Sequence, residues 1–278
     1  MAMRERNDPL DFAPATGPTQ ATTTIHTSGD GLDTRLVEID AGDRTIRAYA
    51  ARPADASGAP LLLVLSEAFG LHEHIADIAR RFAREGYFAV APDLMVRQGD
   101  PMAYADIGAL VSELLLKIPD PQVMADLDAT VAWARAHGAS PDRVSATGFC
   151  WGGRWTWLYA AHRTLEAAVA WYGIVDGGSM FPDDPALFPS HPLAVVGELK
   201  APVLGLYGGR DEAIPLDTVR AMQDRLASGS GAARASYIHV YPDAGHAFFA
   251  DYRDSYRVDL ADDAWRRCLE WLNGNRAG

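Results

Sequence analysis

Positive charge is scarce in this chain. Its 278 residues carry 25 Lys and Arg against 37 Asp and Glu, a formal net charge of -12 with a pI near 5.0. Proteins that hold nucleic acid display a basic stripe against the phosphates, so that class of partner is excluded. The same field disfavours an anionic substrate unless the site supplies its own arginine. Cysteine is scarcer still. Cys150 and Cys268 are the only two, far below the density of small secreted domains stapled by disulfides. No apolar run reaches the roughly 18 residues of a membrane span, so no membrane partner is expected. Met1 to Asp30 lacks the apolar core of a secretory signal, and Glu5 splits Arg4 from Arg6, so no twin-arginine signal exists either. Cytoplasm is the expected location. No tight His/Cys/Asp spacing suggests a metal site, and no cofactor is expected.

What the chain does have is enough apolar residue, 48%, to fill the core of one α/β domain. Residues 1–30 are rich in Pro, Thr, Gly, Ala and Asp without a period, and read as a poorly ordered or surface-lying extension. From residue 31 to the end the pattern is that of one domain. Thr34 to Ile39 and Thr45 to Ala51 alternate around Ala41-Gly42-Asp43, as in a hairpin or meander. Leu61 to Leu65 is a short continuous apolar run, the mark of a strand covered on both faces. Further strands are predicted at Tyr87 to Ala91, Arg143 to Thr147, Ala167 to Trp171, Pro202 to Tyr207 and Tyr237 to Tyr241. Helices are predicted between them, at His74 to Glu85, Pro101 to Lys117, Pro121 to His137, Gly152 to His162, Pro215 to Ala227 and Ser255 to Leu272. Alternation of this kind implies an α/β fold, a mostly parallel central sheet flanked by helices on both faces.

One turn in that series carries chemistry. Gly148-Phe149-Cys150-Trp151-Gly152-Gly153 lies between a predicted strand and a predicted helix. This is the setting of the G-x-S-x-G nucleophile elbow of α/β-hydrolases, with Cys in place of Ser. The nucleophile takes a positive φ, and the glycines let strand and helix approach. The amide of Trp151 and the helix N-terminus then lie beside the sulfur, where an oxyanion or thiolate is stabilised. In such folds an acid and then a histidine follow the nucleophile, each after a strand. Asp211, in Gly208-Gly209-Arg210-Asp211-Glu212, and His246, in Asp243-Ala244-Gly245-His246, stand in those places. Glu212 and Asp217 are weaker rivals for the acid. His246 would take the thiol proton and later activate water, and Asp211 would fix the imidazole tautomer. Cys268, on the apolar face of the last helix, reads as core.

These residues, with Gly209-Arg210-Asp211 and Ala244-Gly245-His246-Ala247-Phe248, resemble the dienelactone hydrolase (carboxymethylenebutenolidase) family from about Thr34 to Leu272. The most distinctive match is Ser66-Glu67-Ala68-Phe69-Gly70-Leu71. The resemblance implies that Glu67 contacts the cysteine and draws off its proton when substrate binds, and that the Ala68 amide is the second oxyanion donor. It also implies that Arg97, in Pro92-Asp93-Leu94-Met95-Val96-Arg97-Gln98, binds a substrate carboxylate and that Tyr172 lies near the pocket. Two departures qualify the substrate. Ala250 stands where the family has a second arginine, with Arg253 the nearest, and Trp151, Trp155 and Trp157 are expected to narrow or reshape the pocket. The expected activity is hydrolysis of lactones or small esters by a monomer or homodimer. The alternatives are a broad carboxylesterase without carboxylate recognition, or a non-catalytic thiol-sensing module.

Overall fold

Leu61 to Leu65 has no polar position to offer water, so the chain must cover both of its faces. A computed structural model, which describes residues 10–178 and 180–274, shows how. The run belongs to strand β3 (Ala59–Leu65), buried at every residue. Successive side chains leave a strand on opposite faces. Leu61, Leu63 and Leu65 enter one apolar cluster, and Leu62 and Val64 enter the other. The first cluster is capped by helices α3 (Asp120–Ala136) and α4 (Trp151–His162), the second by α1 (Glu73–Arg84) and α7 (Val258–Gly274). Val123, Leu127, Val131 and Ala134, spaced for one helical face, are all buried. Cys268 is wholly buried among the α7 residues of the second cluster.

The remaining strands are β1 (Leu32–Asp40), β2 (Thr45–Pro53), β4 (Phe88–Pro92), β5 (Ala139–Phe149), β6 (Ala168–Trp171), β7 (Val203–Gly208) and β8 (Tyr237–Tyr241). They form one eight-stranded sheet in the order β1-β2-β4-β3-β5-β6-β7-β8. β1 and β2 are antiparallel, and every pair from β4 to β8 is parallel. The order reverses direction at β3. The chain goes from β3 outward to β4, then returns to the other side of β3 as β5. In open α/β sheets ligands bind beyond the carboxyl ends of strands at such a reversal. Leu65 and Gly148 face each other there.

The segment Pro101 to Lys117 departs from the single helix its spacing predicts. It is a 3-10 turn at Pro101–Ala103, helix α2 (Ile107–Glu113) and a second 3-10 turn at Leu115–Lys117. Two aspartates restart the chain. Asp100 accepts from the Met102 amide at 2.9 Å and Asp106 from the Ala109 amide at 2.8 Å, each acting as an N-cap. Helix α5 (Leu216–Ser228) follows β7, and a short α6 (Gly231–Ala235), unmarked by any apolar period, precedes β8. Residues 10–30 lie along the surface as an arm, tied at the Gln20 amide to the Tyr252 carbonyl (2.9 Å) and at the Thr23 hydroxyl to the Asp251 carbonyl (2.6 Å). Residues 1–9 of the extension fall outside the described residues. Among the described residues no helix is long and apolar enough to cross a membrane.

Candidate active site

At the end of β5 the backbone turns sharply into α4, and Cys150 occupies the turn with φ 52° and ψ -109°. A non-glycine residue in that region is strained and persists only where its neighbours fix it. Here they do. The Cys150 amide donates to the Trp171 carbonyl at 2.9 Å, and the Gly152 amide to the Ser66 carbonyl at 3.0 Å. A Cβ at Gly152 would stand 2.4 Å from the Leu65 carbonyl oxygen, and one at Gly148 would stand 2.4 Å from that of Gly152. Strand, turn and helix are thus pressed together at a distance only glycine permits. Trp151 takes the first helical position, where an amide has no intrahelical acceptor. The Ala68 amide likewise enters no backbone hydrogen bond among the described residues.

His246 and Asp211 meet at the same rim. Nδ1 of His246 lies 2.8 Å from Asp211 Oδ2, and Asp211 Oδ1 accepts from the amides of Ala213 and Ile214, each at 2.9 Å. One carboxylate oxygen therefore holds its own loop while the other holds the imidazole. The Cys150 sulfur lies close enough to this ring to favour its charged form, although no formed hydrogen bond joins the two among the described residues. Burial disfavours the charged ring, but the Cys150 sulfur and the Asp211 carboxylate outweigh it and raise the imidazole pKa to about 10. Tyr172 closes the side of the site, its ring 5.2 Å from that of His246 in an edge arrangement. Its hydroxyl is buried without a hydrogen-bond partner among the described residues. Among the described residues the non-glycine residues with positive φ are Cys150, Tyr172 and Ala247, all at this site.

The β3 loop supplies the opposite wall. Glu67 is buried, and its Oε2 accepts a 2.8 Å hydrogen bond from the Tyr252 hydroxyl. His72 Nε2 lies 3.7 Å from the same oxygen, too far for a formed hydrogen bond. Burial would raise the affinity of Glu67 for a proton. The His72 side chain, followed by His74 and Arg253, overrides it and brings the carboxyl down to about 2. No hydrogen bond joins Glu67 to the Cys150 sulfur among the described residues.

Arg97 is placed elsewhere in its bonding. Its Nε and Nη2 hold Asp43 at 2.9 and 2.6 Å, and its Nη1 holds the buried Asp126 at 2.6 Å. To take a substrate carboxylate this guanidinium would have to leave one of those partners. Arg253, by contrast, has no ion-pair partner among the described residues and lies over the Phe69 ring at 5.4 Å. Ala250 is fully buried beside Phe248, Phe249 and Tyr252. The tryptophans of α4 also differ from expectation. Trp155 and Trp157 are wholly buried, donating to Asp120 at 3.1 Å and to the Tyr207 hydroxyl at 2.9 Å, so their bulk fills the core. Only Trp151 faces the long connection after β6, stacked on Phe181 at 5.4 Å. Arg154 pins that connection to α4. It is buried, paired with Asp120 at 2.6 and 2.7 Å, and bonded to the Ser190 carbonyl at 2.9 Å.

Residues 46–275 match the family model described as "Dienelactone hydrolase family". The chain belongs to the dienelactone hydrolase family. It is 49% identical over 266 residues to a Salmonella typhimurium protein named "Putative carboxymethylenebutenolidase", covering 95% of each chain. A Methylorubrum extorquens protein of the same name is 50% identical over 263 residues, covering 94% of this chain and 88% of its own. Among solved structures, a Klebsiella pneumoniae dienelactone hydrolase superposes with a TM-score of 0.82 at 48% identity, covering 87% of this chain and 98% of that one. The fold is that of the α/β-hydrolases and the chain is a hydrolase of this family. Tyr252, which bonds Glu67, and the burial of His72 and His74 beside it carried no local motif. Only their places next to Glu67 in the fold reveal them.

Proposed function

We propose that the chain hydrolyses lactones or small carboxylic esters through a thioester on Cys150, with His246 as base and Asp211 as its orienting carboxylate. The observation that carries this reading is the His246 ring, bonded to Asp211 through Nδ1 and close enough to the Cys150 sulfur at the elbow for the sulfur to favour its charged form. Held by Asp211, the imidazole can take the thiol proton as the sulfur attacks. The thiolate attacks the carbonyl carbon, and the developing oxyanion meets the amides of Ala68 and Trp151 at the start of α4. The imidazolium then gives its proton to the leaving oxygen. In the second half His246 takes a proton from water, which attacks the thioester and releases Cys150. Tyr172 bounds the pocket.

The relatives' names speak of an enol-lactone carrying a carboxylate. Commitment of Arg97 to Asp43 and Asp126, with Ala250 in place of an arginine, favours a second reading in which neutral esters and lactones are accepted as readily. Arg253 is then the one uncommitted guanidinium near Glu67. Wild type and Cys150→Ala are to be compared on a neutral ester, a neutral lactone and a carboxylated lactone, with folding checked by circular dichroism. Loss of all turnover in the variant supports the reading. Equal turnover by the two proteins overturns it.

A further inference from the structure

Behind Glu67 lies a buried cluster that the proposed chemistry leaves unused. His72 and His74 are both wholly enclosed, and none of their four ring nitrogens has a hydrogen-bond partner among the described residues. The rings sit 6.1 Å apart, with Tyr252 packed against both at 5.5 and 4.7 Å. His74 Nδ1 is 3.6 Å from Asp251, which Arg81 holds from α1. The outer side of the cluster is closed by the N-terminal arm. Phe12 lies 5.1 Å from the Tyr252 ring and 6.1 Å from that of His72, and the Asp11 carbonyl accepts from the Glu73 amide at 3.2 Å.

Two of these side chains meet at one carboxylate oxygen. Glu67 Oε2 takes the Tyr252 hydroxyl and faces His72, while Oε1 accepts no hydrogen bond among the described residues. A buried carboxylate is ordinarily driven to take up a proton. A phenol O–H donated to it, inside a dry enclosure, works against that tendency.

We infer that Tyr252 and His72 are positioning residues that hold Glu67 ionised beside the nucleophile, and that the N-terminal arm, through Phe12, keeps their enclosure dry. This rests on the proposed function, in which Cys150 is the nucleophile, and adds Glu67 as a second group able to take the thiol proton before it passes to His246. In that exchange the S–H bond of Cys150 breaks and an O–H bond forms at Glu67 Oε1, leaving a thiolate and a neutral carboxylic acid. The Tyr252 bond makes Glu67 the weaker acceptor and restrains thiolate formation in the resting enzyme. The charged and titratable groups around Glu67 are His72 and His74 from the β3–α1 connection and α1, and Tyr252, Arg253 and Asp251 from the segment after β8. Tyr172 after β6 and Cys150 at the start of α4 complete the set.

Tyr252→Phe tests the inference with the ring packing kept. The protonation of Glu67 is followed by infrared difference against Glu67→Gln, and Cys150 alkylation by iodoacetamide is followed as the mass of its peptide. The midpoint of Glu67 is expected to rise by at least one pH unit in Tyr252→Phe and by less in Phe12→Ala. Alkylation of Tyr252→Phe below neutral pH is expected to quicken by about tenfold per unit of that rise. Phe12→Leu, which keeps the apolar cover, is expected to restore the wild-type midpoint lost in Phe12→Ala. Tyr159→Phe, which removes a tyrosine bonded to Asp128 far from this cluster, is the control. An unmoved Glu67 midpoint in folded Tyr252→Phe overturns the inference. A moved midpoint with alkylation indifferent to both Tyr252→Phe and Glu67→Gln instead overturns the part of the functional reading that links Glu67 to the thiol.

Discussion

The elbow wall and the Glu67 wall meet where the Gly152 amide bonds the Ser66 carbonyl, and they are held by different means. On the elbow side, backbone contacts at glycine fix Cys150, and a single side-chain bond orients His246. On the Glu67 side the backbone does little. Side chains from α1, the segment after β8 and the N-terminal arm surround the carboxylate. The first side rests on backbone contacts around one turn. The second is assembled from side chains of several segments, and it can be tuned by single substitutions. A site with one fixed wall and one adjustable wall can keep Cys150 in place while the charge beside it changes.

The largest effect expected is on the fixed wall. Asp211→Asn keeps an oxygen for the Ala213 and Ile214 amides but turns an amide N–H toward His246 Nδ1, forcing the imidazole into the wrong tautomer. Turnover should fall on the order of 10⁴-fold with little change in Tm. A loss under tenfold would dissolve the contrast between the walls. Arg154→Met comes next. It leaves Asp120 buried without its cation, a loss of about 3–5 kcal/mol measured by denaturant unfolding. An unchanged unfolding midpoint would show that α4 is held without Arg154.

A smaller effect is expected where sequence and structure part. Arg97→Ala strands the buried carboxylate of Asp126 and should cost about 1–3 kcal/mol of stability. Ratios of turnover on carboxylated and neutral lactones should stay as in wild type. A selective loss on the carboxylated substrate would restore Arg97 to substrate binding.

The two walls should also differ in pH dependence. Glu67 has a folded pKa of about 2 against an ordinary value of 4.5. Its contribution to stability is therefore present above about 4.5 and lost as pH falls through about 2. Tyr252→Phe should move acid unfolding to higher pH. His246 has the opposite sign. With its pKa raised from 6.5 to about 10, its contribution is complete below 6.5 and is lost as pH rises through about 10. In Cys150→Ala the ring loses the sulfur that favours its proton, so the C2–H resonance of His246 should titrate lower than in wild type. A titration unchanged by that substitution would separate His246 from Cys150.

The difference between the walls also explains what was legible in the sequence. Cys150 could be found because an elbow needs glycines at fixed offsets between a strand and a helix. Asp211 and His246 could be found because each follows a strand run. Leu61 to Leu65 gave away the parallel sheet because a doubly covered strand has no polar position. Tyr252 and His72 had no such marker, since their importance lies in meeting Glu67 across 185 and 5 residues of chain. Arg97 shows the opposite case. Resemblance supplied a role, but Asp43 in the β1–β2 turn and Asp126 on α3 occupy its donors, and nothing local in sequence announces those partners. Pro101 to Lys117 departs from a single helix for a local reason, because Asp100 caps a short turn at its start and Asp106, inside the run, caps a new helix.

One measurement bears on the central claim more directly than the rest. Wild-type enzyme mixed with an activated ester and quenched within the first turnover should show an acyl mass on the peptide containing Cys150, decaying as product appears. Turnover with no acyl mass on that peptide at any time, or with the mass on another residue, would contradict the assignment of Cys150 as nucleophile.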